Sequence, residues 1–415
     1  MPRWYEDDRL RFAVGIEDTF VPQIRIGHRA LDEYDLTQHY HYWHEDLGLA
    51  AECGATMIRY GIPWWRVNPA PGKFDWSWLD RVVARLAELK LEPIVDLMHY
   101  GTPLWLENEF LNADYDERVA EYSAAVAERY RDTMSIYTPL NEPIVHALHS
   151  GQYAMWPPYL RGHDGFVKLV GPLVRGFVKS QRAIAEVTGG NATFLHVEAS
   201  FRYSGDLDAH REESTLLRHR QFLFEDLLTG RIKDDSHPLT AYLRQHGFGD
   251  ADLAWSRDNT AMPDVMGVNY YPAVSTERFE AGVTHEGTWG DPRPRDNQWT
   301  DGLQEVLHWF ADRYQRPVFL SETCLPGTVE GRIRWMDASV ETVRKLRAEG
   351  MNLIGYTWWS VIDMMEWSYR EGLKPAEAYL LGMGLWDLVP DGAGVLRRVK
   401  TAAADRFREH ATRNG

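Results

Sequence analysis

Short apolar runs alternate with longer amphipathic stretches along almost the whole chain. The runs at 11–15 (RFAVG), 56–62 (TMIRYGI), 92–98 (EPIVDLM), 134–140 (MSIYTPL), 193–199 (TFLHVEA), 264–269 (DVMGVN), 316–321 (RPVFLS) and 352–358 (NLIGYTW) are largely continuous in apolar residues. Such runs read as strands covered on both faces. Between them, stretches such as LDRVVARLAELK at 79–90 and DERVAEYSAAVAERYRD at 116–132 repeat apolar residues at three- and four-residue spacing and predict helices. Eight strands, each followed by a helical pattern, is the count for a closed (β/α)8 barrel. No low-complexity linker or composition break divides the chain, so residues 1–415 are expected to form a single barrel domain.

Four longer stretches lack either period, at 16–39, 141–165, 272–300 and 360–394. Each follows a predicted strand and therefore belongs to the C-terminal face, where barrel enzymes place their active sites. The part at 284–300 (THEGTWGDPRPRDNQWT) reads as a surface loop, either a lid over the site or a plain excursion.

Composition narrows the chemistry. The formal net charge of −16 argues against nucleic acid or anionic membrane as partner, since both require basic surfaces. Seventeen tryptophans exceed ordinary usage. Most serve as core filler, but flat apolar faces carrying an N–H donor also suit sugar rings. The two cysteines, Cys53 and Cys324, make no disulfide framework or zinc pattern. No secretory h-region or membrane-length apolar run is visible, so a cytoplasmic location is expected.

Two carboxylates sit at the ends of predicted strands. Glu142 lies in Thr138-Pro139-Leu140-Asn141-Glu142-Pro143 after the fourth, and Glu322 in Phe319-Leu320-Ser321-Glu322-Thr323 after the seventh. Pro143 restricts the backbone of the residue before it. A lone glutamate at a strand end is most often an ion-pair partner. A pair on strands four and seven of one barrel fits the hydrolysis of a glycosidic bond, which needs one carboxylic acid and one carboxylate on opposite faces of the sugar.

Asn-Glu-Pro after strand four and Glu after strand seven resemble the signature of a large clan of barrel glycosidases. Four further stretches narrow the resemblance to glycoside hydrolase family 1, the β-glucosidase family. They are Tyr40-His41-Tyr42-Trp43-His44-Glu45-Asp46, Met57-Ile58-Arg59-Tyr60-Gly61-Ile62-Pro63-Trp64, Gly267-Val268-Asn269-Tyr270-Tyr271, and the run from Gly355 to Trp367 (GYTWWSVIDMMEW). The resemblance implies a retaining β-glycosidase acting on small glycosides without metal or cofactor. It implies Glu142 as acid/base, with a raised pKa, and Glu322 as an ionised nucleophile of low pKa, supported by Arg59, Tyr271 and Asn269. It further implies substrate contacts from Asn141, His99 and Trp359, and from Glu366 and Trp367 on the hydroxyls farthest from the scissile bond.

Departures concentrate in substrate recognition. The glutamine the family carries near the end of strand one has no clean counterpart in Gly15-Ile16-Glu17-Asp18-Thr19-Phe20-Val21-Pro22-Gln23. Glu17 or Gln23 could replace it, and a glutamate there would favour a different hydroxyl pattern or an aminated sugar. His99 is followed by Tyr100 instead of Trp, Glu322 by Thr323-Cys324 instead of Asn-Gly, and position 364 is Met where Asn is usual. Cys324 reads as a small buried residue shaping the pocket, and Glu198 on strand five as an ion-pair partner for an arginine. Alternatives to hydrolysis of simple glycosides are transglycosylation or tailoring of a secondary metabolite, a polysaccharide-active family of the same clan, and a non-catalytic sugar-binding barrel. The sequence names neither the sugar nor the oligomeric state.

Overall fold

The computed structural model describes residues 3–286 and 290–413. The eight apolar runs form parallel strands: β1 (Arg11–Gly15), β2 (Met57–Gly61), β3 (Glu92–Asp96), β4 (Ile136–Thr138), β5 (Thr193–Ala199), β6 (Val265–Asn269), β7 (Val318–Thr323) and β8 (Leu353–Trp358). They close into a barrel in the order β1-β8-β7-β6-β5-β4-β3-β2, with β2 pairing back onto β1. The main helices follow in turn: α1 (His39–Glu52), α2 (Leu79–Leu89), α3 (Tyr115–Arg129), α4 (Gly162–Val187), α5 (Arg211–Arg220), α6 (Trp299–Tyr314), α7 (Val329–Ala348) and α8 (Ala402–Thr412).

Alternation along the strands sorts their side chains. Ala13, Met57, Ile94, Ile136, Leu195, Val265, Phe319 and Ile354, one from each strand, fill the barrel interior as a separate apolar cluster, and Trp4 and Tyr5 pack against it. Neighbours such as Phe12, Val14 and Ile58 join the larger core beneath the helices. On α2 the buried residues Leu79, Val82, Val83 and Leu86 supply the inward stripe, and Lys90 ends the helix in a left-handed conformation (φ 56°). The period of two then carries function upward. Two residues beyond Met57 is Arg59, two beyond Ile94 is Asp96, and four beyond Val265 is Asn269, all facing the C-terminal end of the barrel.

Strand limits differ where the site begins. β4 is shorter than the apolar run 134–140, whereas β7 runs past residue 321 and includes Glu322. The register of β7 against β6 shifts between Leu320 and Glu322, placing Glu322 opposite Asn269. Such irregularities re-aim side chains beside active sites.

The long loops carry their own small elements. Phe20–Val21 pairs with Leu31–Asp32, and Met364–Met365 with Leu380–Leu381. The segment after β6 is anchored: Thr276–Phe279 pairs in parallel with Arg202–Gly205, from the loop after β5. Asp296 N donates to Thr276 O, Arg278 N to Pro294 O, and Arg293 pairs with Glu213 and Glu277. Of the two readings of 284–300, these tethers favour a fixed excursion for the described part; residues 287–289 lie outside the described residues. Among the described residues no helix is long and apolar enough to cross a membrane.

Candidate active site

Glu142 follows β4, where its N–H donates to Val197 O on β5. Pro143 predicts an extended residue before it, yet Glu142 adopts the left-handed region (φ 42°, ψ 64°) and opens the short helix Pro143–His146. That conformation costs a non-glycine residue about 1–3 kcal/mol and clusters at functional sites. Glu142 and Glu322 are 7% and 4% exposed and line one cavity of about 260 Å³ at the C-terminal end of the barrel.

Their surroundings differ in charge. Arg59, fully buried, donates through Nη1 to Glu322 Oε1, and through Nη2 to Asp96 Oδ2 and to Asn141 Oδ1 at 2.8 Å. Tyr271 Oη donates to Glu322 Oε2 at 2.6 Å. Glu142 instead meets neutral donors: Asn269 Nδ2 reaches its Oε1 at 2.9 Å, and Tyr100 Oη its Oε2. Asn269 therefore touches Glu142, not the expected Glu322. Ser321 Oγ donates to Asn269 Oδ1 at 2.6 Å and turns the amide nitrogen toward Glu142.

Burial raises the pKa of Glu142 above the carboxylate range, against the pull of Tyr100 and Asn269. The expected low pKa at Glu322 is not what the surroundings give. Burial drives it up to about 7, although Arg59 and Tyr271 pull it down, because Glu142 adds repulsion. Two such carboxyls titrate as a pair. With a guanidinium on Glu322 and only neutral groups on Glu142, the proton retained by the pair belongs on Glu142.

Around this pair the cavity is lined from the segments just beyond β1, β3 and β8. Trp359 lies over Arg59, whose guanidinium carbon is 4.8 Å from the ring centroid. Gly15 makes room for it, since a Cβ there would fall 2.1 Å from the ring. Glu17 Oε2 accepts from Trp359 Nε1 at 2.6 Å, and Oε1 accepts from Thr19 N at 3.0 Å. The glutamate is thus bonded to Trp359 as well as lining the cavity. Gln23 is exposed and bonds Arg25 O, so it does not join the site. Asn141 Nδ2 donates to Tyr100 Oη and lies beside His99 Nε2, both at 3.1 Å. His99 Nδ1 faces Asp18 Oδ1 at 3.0 Å and Asp96 Oδ2 at 3.3 Å; burial disfavours its charge, but these carboxylates raise its pKa well above the usual range. Glu366 is exposed at the mouth, and Trp367 is half-buried and packs edge-on to Tyr100 at 5.7 Å.

Asp18, Asp96 and His99 have the donor types of a metal site and lie close together. Asp96 is committed to Arg59, and a dication there would face that guanidinium. A hydrogen-bonded cluster explains the group without an ion. Burial pushes Asp18 up to about 7, Asp96 and Glu17 adding to the shift and His99 opposing it. Gly61 permits the arrangement, because a Cβ on it would overlap Asp18 Oδ2.

Two side residues complete the picture. Cys324 is fully buried and burial raises its thiol well above the usual range, which leaves it unreactive. Glu198 has no arginine within ion-pair distance among the described residues. Its Oε1 accepts from Ala199 N at 2.9 Å, and burial, with repulsion from Glu142, raises its pKa well above the carboxylate range. The sequence alone does not mark Tyr100, Asp96 or Asp18 as site residues. The tyrosine shows there only as a departure after His99, and Asp96 as one carboxylate in the third apolar run.

The profile of glycosyl hydrolase family 1 matches residues 13–374. A bifunctional β-D-glucosidase/β-D-fucosidase from Bifidobacterium breve is 29% identical over 379 residues, covering 80% of each chain. An aryl-phospho-β-D-glucosidase from Bacillus subtilis is 25% identical over 377 residues, covering 79% of this chain and 78% of that protein. In fold, a β-glucosidase from Thermotoga maritima in complex with deoxynojirimycin superposes over 99% of both chains with a TM-score of 0.79 at 18% identity. With a profile match across most of its length and a closed (β/α)8 barrel, the chain belongs to glycosyl hydrolase family 1 and is a glycoside hydrolase.

Proposed function

We propose that the protein is a retaining β-glycosidase that releases one small glycone from a β-glycoside. The observation that carries this reading is the asymmetry of the two buried carboxyls, guanidinium and phenol on Glu322 against neutral donors on Glu142. Glu322, ionised, attacks the anomeric carbon while Glu142 gives its proton to the departing oxygen. A covalent glycosyl-enzyme forms, and Glu142, now a carboxylate, takes a proton from the water that releases the sugar.

Among the described residues the glycone cavity has no Lys or Arg in its lining, and it is faced by Glu17, Glu142, Glu322 and Glu366, with Met364, Leu381 and Met383 beside them. A phosphorylated sugar of the kind named for the Bacillus relative would be repelled there, so the glycone is neutral or aminated. A second reading, transfer of the glycosyl unit to an acceptor other than water, is favoured by one observation. The adjoining cavity, about 560 Å³ and walled by Val145, Leu148, Phe201, Val274 and Trp367, is larger and strongly apolar.

Initial rates on aryl β-glycosides (gluco, galacto, fuco, xylo, glucosaminyl) alongside Glu322→Gln test the proposal. Turnover by wild type that vanishes in the variant supports it, and NMR of the first-formed anomer must show retention. An inverted product would remove Glu322 from the nucleophile role, and transfer products in the presence of an alcohol acceptor would favour the second reading.

A further inference from the structure

Beyond the apolar cavity next to Glu142 lies another of about 420 Å³, and the two share walls at Leu148, Tyr153, Phe201, Glu277 and Arg293. Arg220, the last residue of α5, lines the farther cavity and is 5% exposed. An arginine cannot escape burial by losing its proton, so a buried one requires compensation. Elsewhere in this protein the compensation is evident. Arg59, Arg293, Arg332 and Arg398 each meet a carboxylate, and Arg370, which among the described residues has none within ion-pair distance, donates to the carbonyls of Val21, Pro22 and Arg29 and to the Tyr159 hydroxyl.

Arg220 has polar partners but no ionic one: it donates to the Gln152 amide oxygen and the Tyr242 hydroxyl. Among the described residues no carboxylate lies within ion-pair distance of it. Its surroundings are Gln152 Oε1 at 2.8 Å, the face of Phe166 at 4.7 Å, and the phenols of Tyr153, Tyr203 and Tyr242. His163, across the same cavity, bonds the Tyr242 hydroxyl and is held neutral by burial, which lowers its pKa to about 4. The carboxylates lining this cavity are otherwise placed: Glu277 and Glu213 are paired with Arg293, and Glu212 and Glu286 are exposed at the rim. A forked guanidinium without a carboxylate partner, in a roomy pocket ringed by hydroxyl and amide groups, matches a carboxylate, sulfate or phosphate oxyanion.

We propose that Arg220 is the anchor of an anion-binding site, and that the anion is borne on the far end of the aglycone, whose apolar body fills the cavity beside Glu142. This rests on the glycosidase reading for its second half only. Substrates of this form are glycosides of apolar phenols or alcohols that end in an acidic group.

The test compares the β-glycoside of 4-hydroxycinnamic acid with that of its methyl ester, on the glycone the aryl panel identifies. Wild type is expected to favour the acid by about tenfold in kcat/KM, expressed in KM, as one charge-assisted contact allows. In Arg220→Gln the preference should vanish with the ester rate unchanged within about twofold, and Arg220→Lys, which keeps the charge and lowers the risk of misfolding, should retain part of it. In parallel, sodium sulfate should raise the melting temperature of wild type more than that of Arg220→Gln at equal ionic strength, and should compete with the acid glycoside. An equal acid-to-ester ratio in wild type and Arg220→Gln, with no difference in the sulfate shift, overturns the site. A sulfate shift that depends on Arg220 without competition overturns the aglycone assignment and makes the ligand a free anion. Should no glycoside be turned over, the catalytic reading fails, while the sulfate arm still decides whether Arg220 holds an anion.

Discussion

Replacing Tyr100 by Phe removes a single hydroxyl, the one that donates to Glu142 Oε2 and accepts from Asn141 Nδ2. The bond to Glu142 is to a carboxylate in a buried site and so is worth about 1.5–3 kcal/mol to the ionised form. Part of that persists when Glu142 is protonated, because the same hydroxyl oxygen can then accept, which leaves roughly 1.4 kcal/mol as the difference between the two forms. At 1.36 kcal/mol per pH unit this is a shift of about one unit. The sign follows from the role: losing a donor disfavours the carboxylate, and Glu142 must be protonated to serve as the acid. The basic limb of kcat/KM in Tyr100→Phe is therefore expected about one pH unit above that of wild type, with the acid limb little changed. The assay is kcat/KM for a glycoside with a poor leaving group, from about pH 4 to pH 10, since such substrates depend most on proton donation. A basic limb that stays in place or moves to lower pH refutes the assignment of Tyr100 to the acid/base. A fall in rate at every pH with no movement of the limb would mean that the hydroxyl only positions Asn141.

Three further outcomes follow from the described contacts. Tyr271→Phe removes a 2.6 Å bond to Glu322 and is expected to lower kcat/KM by about 10- to 150-fold, the kinetic equivalent of ~1.5–3 kcal/mol; a change under twofold would refute it. Glu109 is buried with its pKa pushed up to about 8, so the folded state holds its proton between the unfolded carboxylate range and pH 8. Its contribution to stability is complete at low pH and lost as pH rises through 8, so Glu109→Gln should gain on wild type in urea midpoint between pH 6 and pH 9, and a constant difference across that range would contradict the burial argument. Cys324, buried and thiol rather than thiolate, should resist iodoacetamide in the native protein with activity retained, whereas rapid labelling would show an accessible thiolate.

The barrel was legible because continuous apolar runs and helical periods are local signals, and a strand that ends in a carboxylate can be read without knowing its neighbours. What a side chain touches across the barrel is not local. Asn269 could be placed on the sixth strand, but not that Ser321 turns its amide to Glu142. Glu322 could be given an arginine and a tyrosine, but the depth of burial that outweighs them is a property of the closed barrel. Glu198 reads like any strand-end carboxylate that pairs with arginine, and only packing shows that no arginine among the described residues reaches it. Arg220 closes the run REESTLLRHR, where the charge density reads as a solvated helix face. Its burial comes from the aromatic and apolar residues that other segments bring over it.

The short parallel pair that joins Arg202–Gly205 to Thr276–Phe279 means that two loops far apart in sequence form one wall. Mutational drift in either loop is then answerable to the other, and leaving-group preference should be inherited as a block. A graft that moves only one of these loops between relatives should disturb both, while a graft of the two together should carry a preference across intact. For library design, the unit of diversity on this side of the barrel is the joined pair.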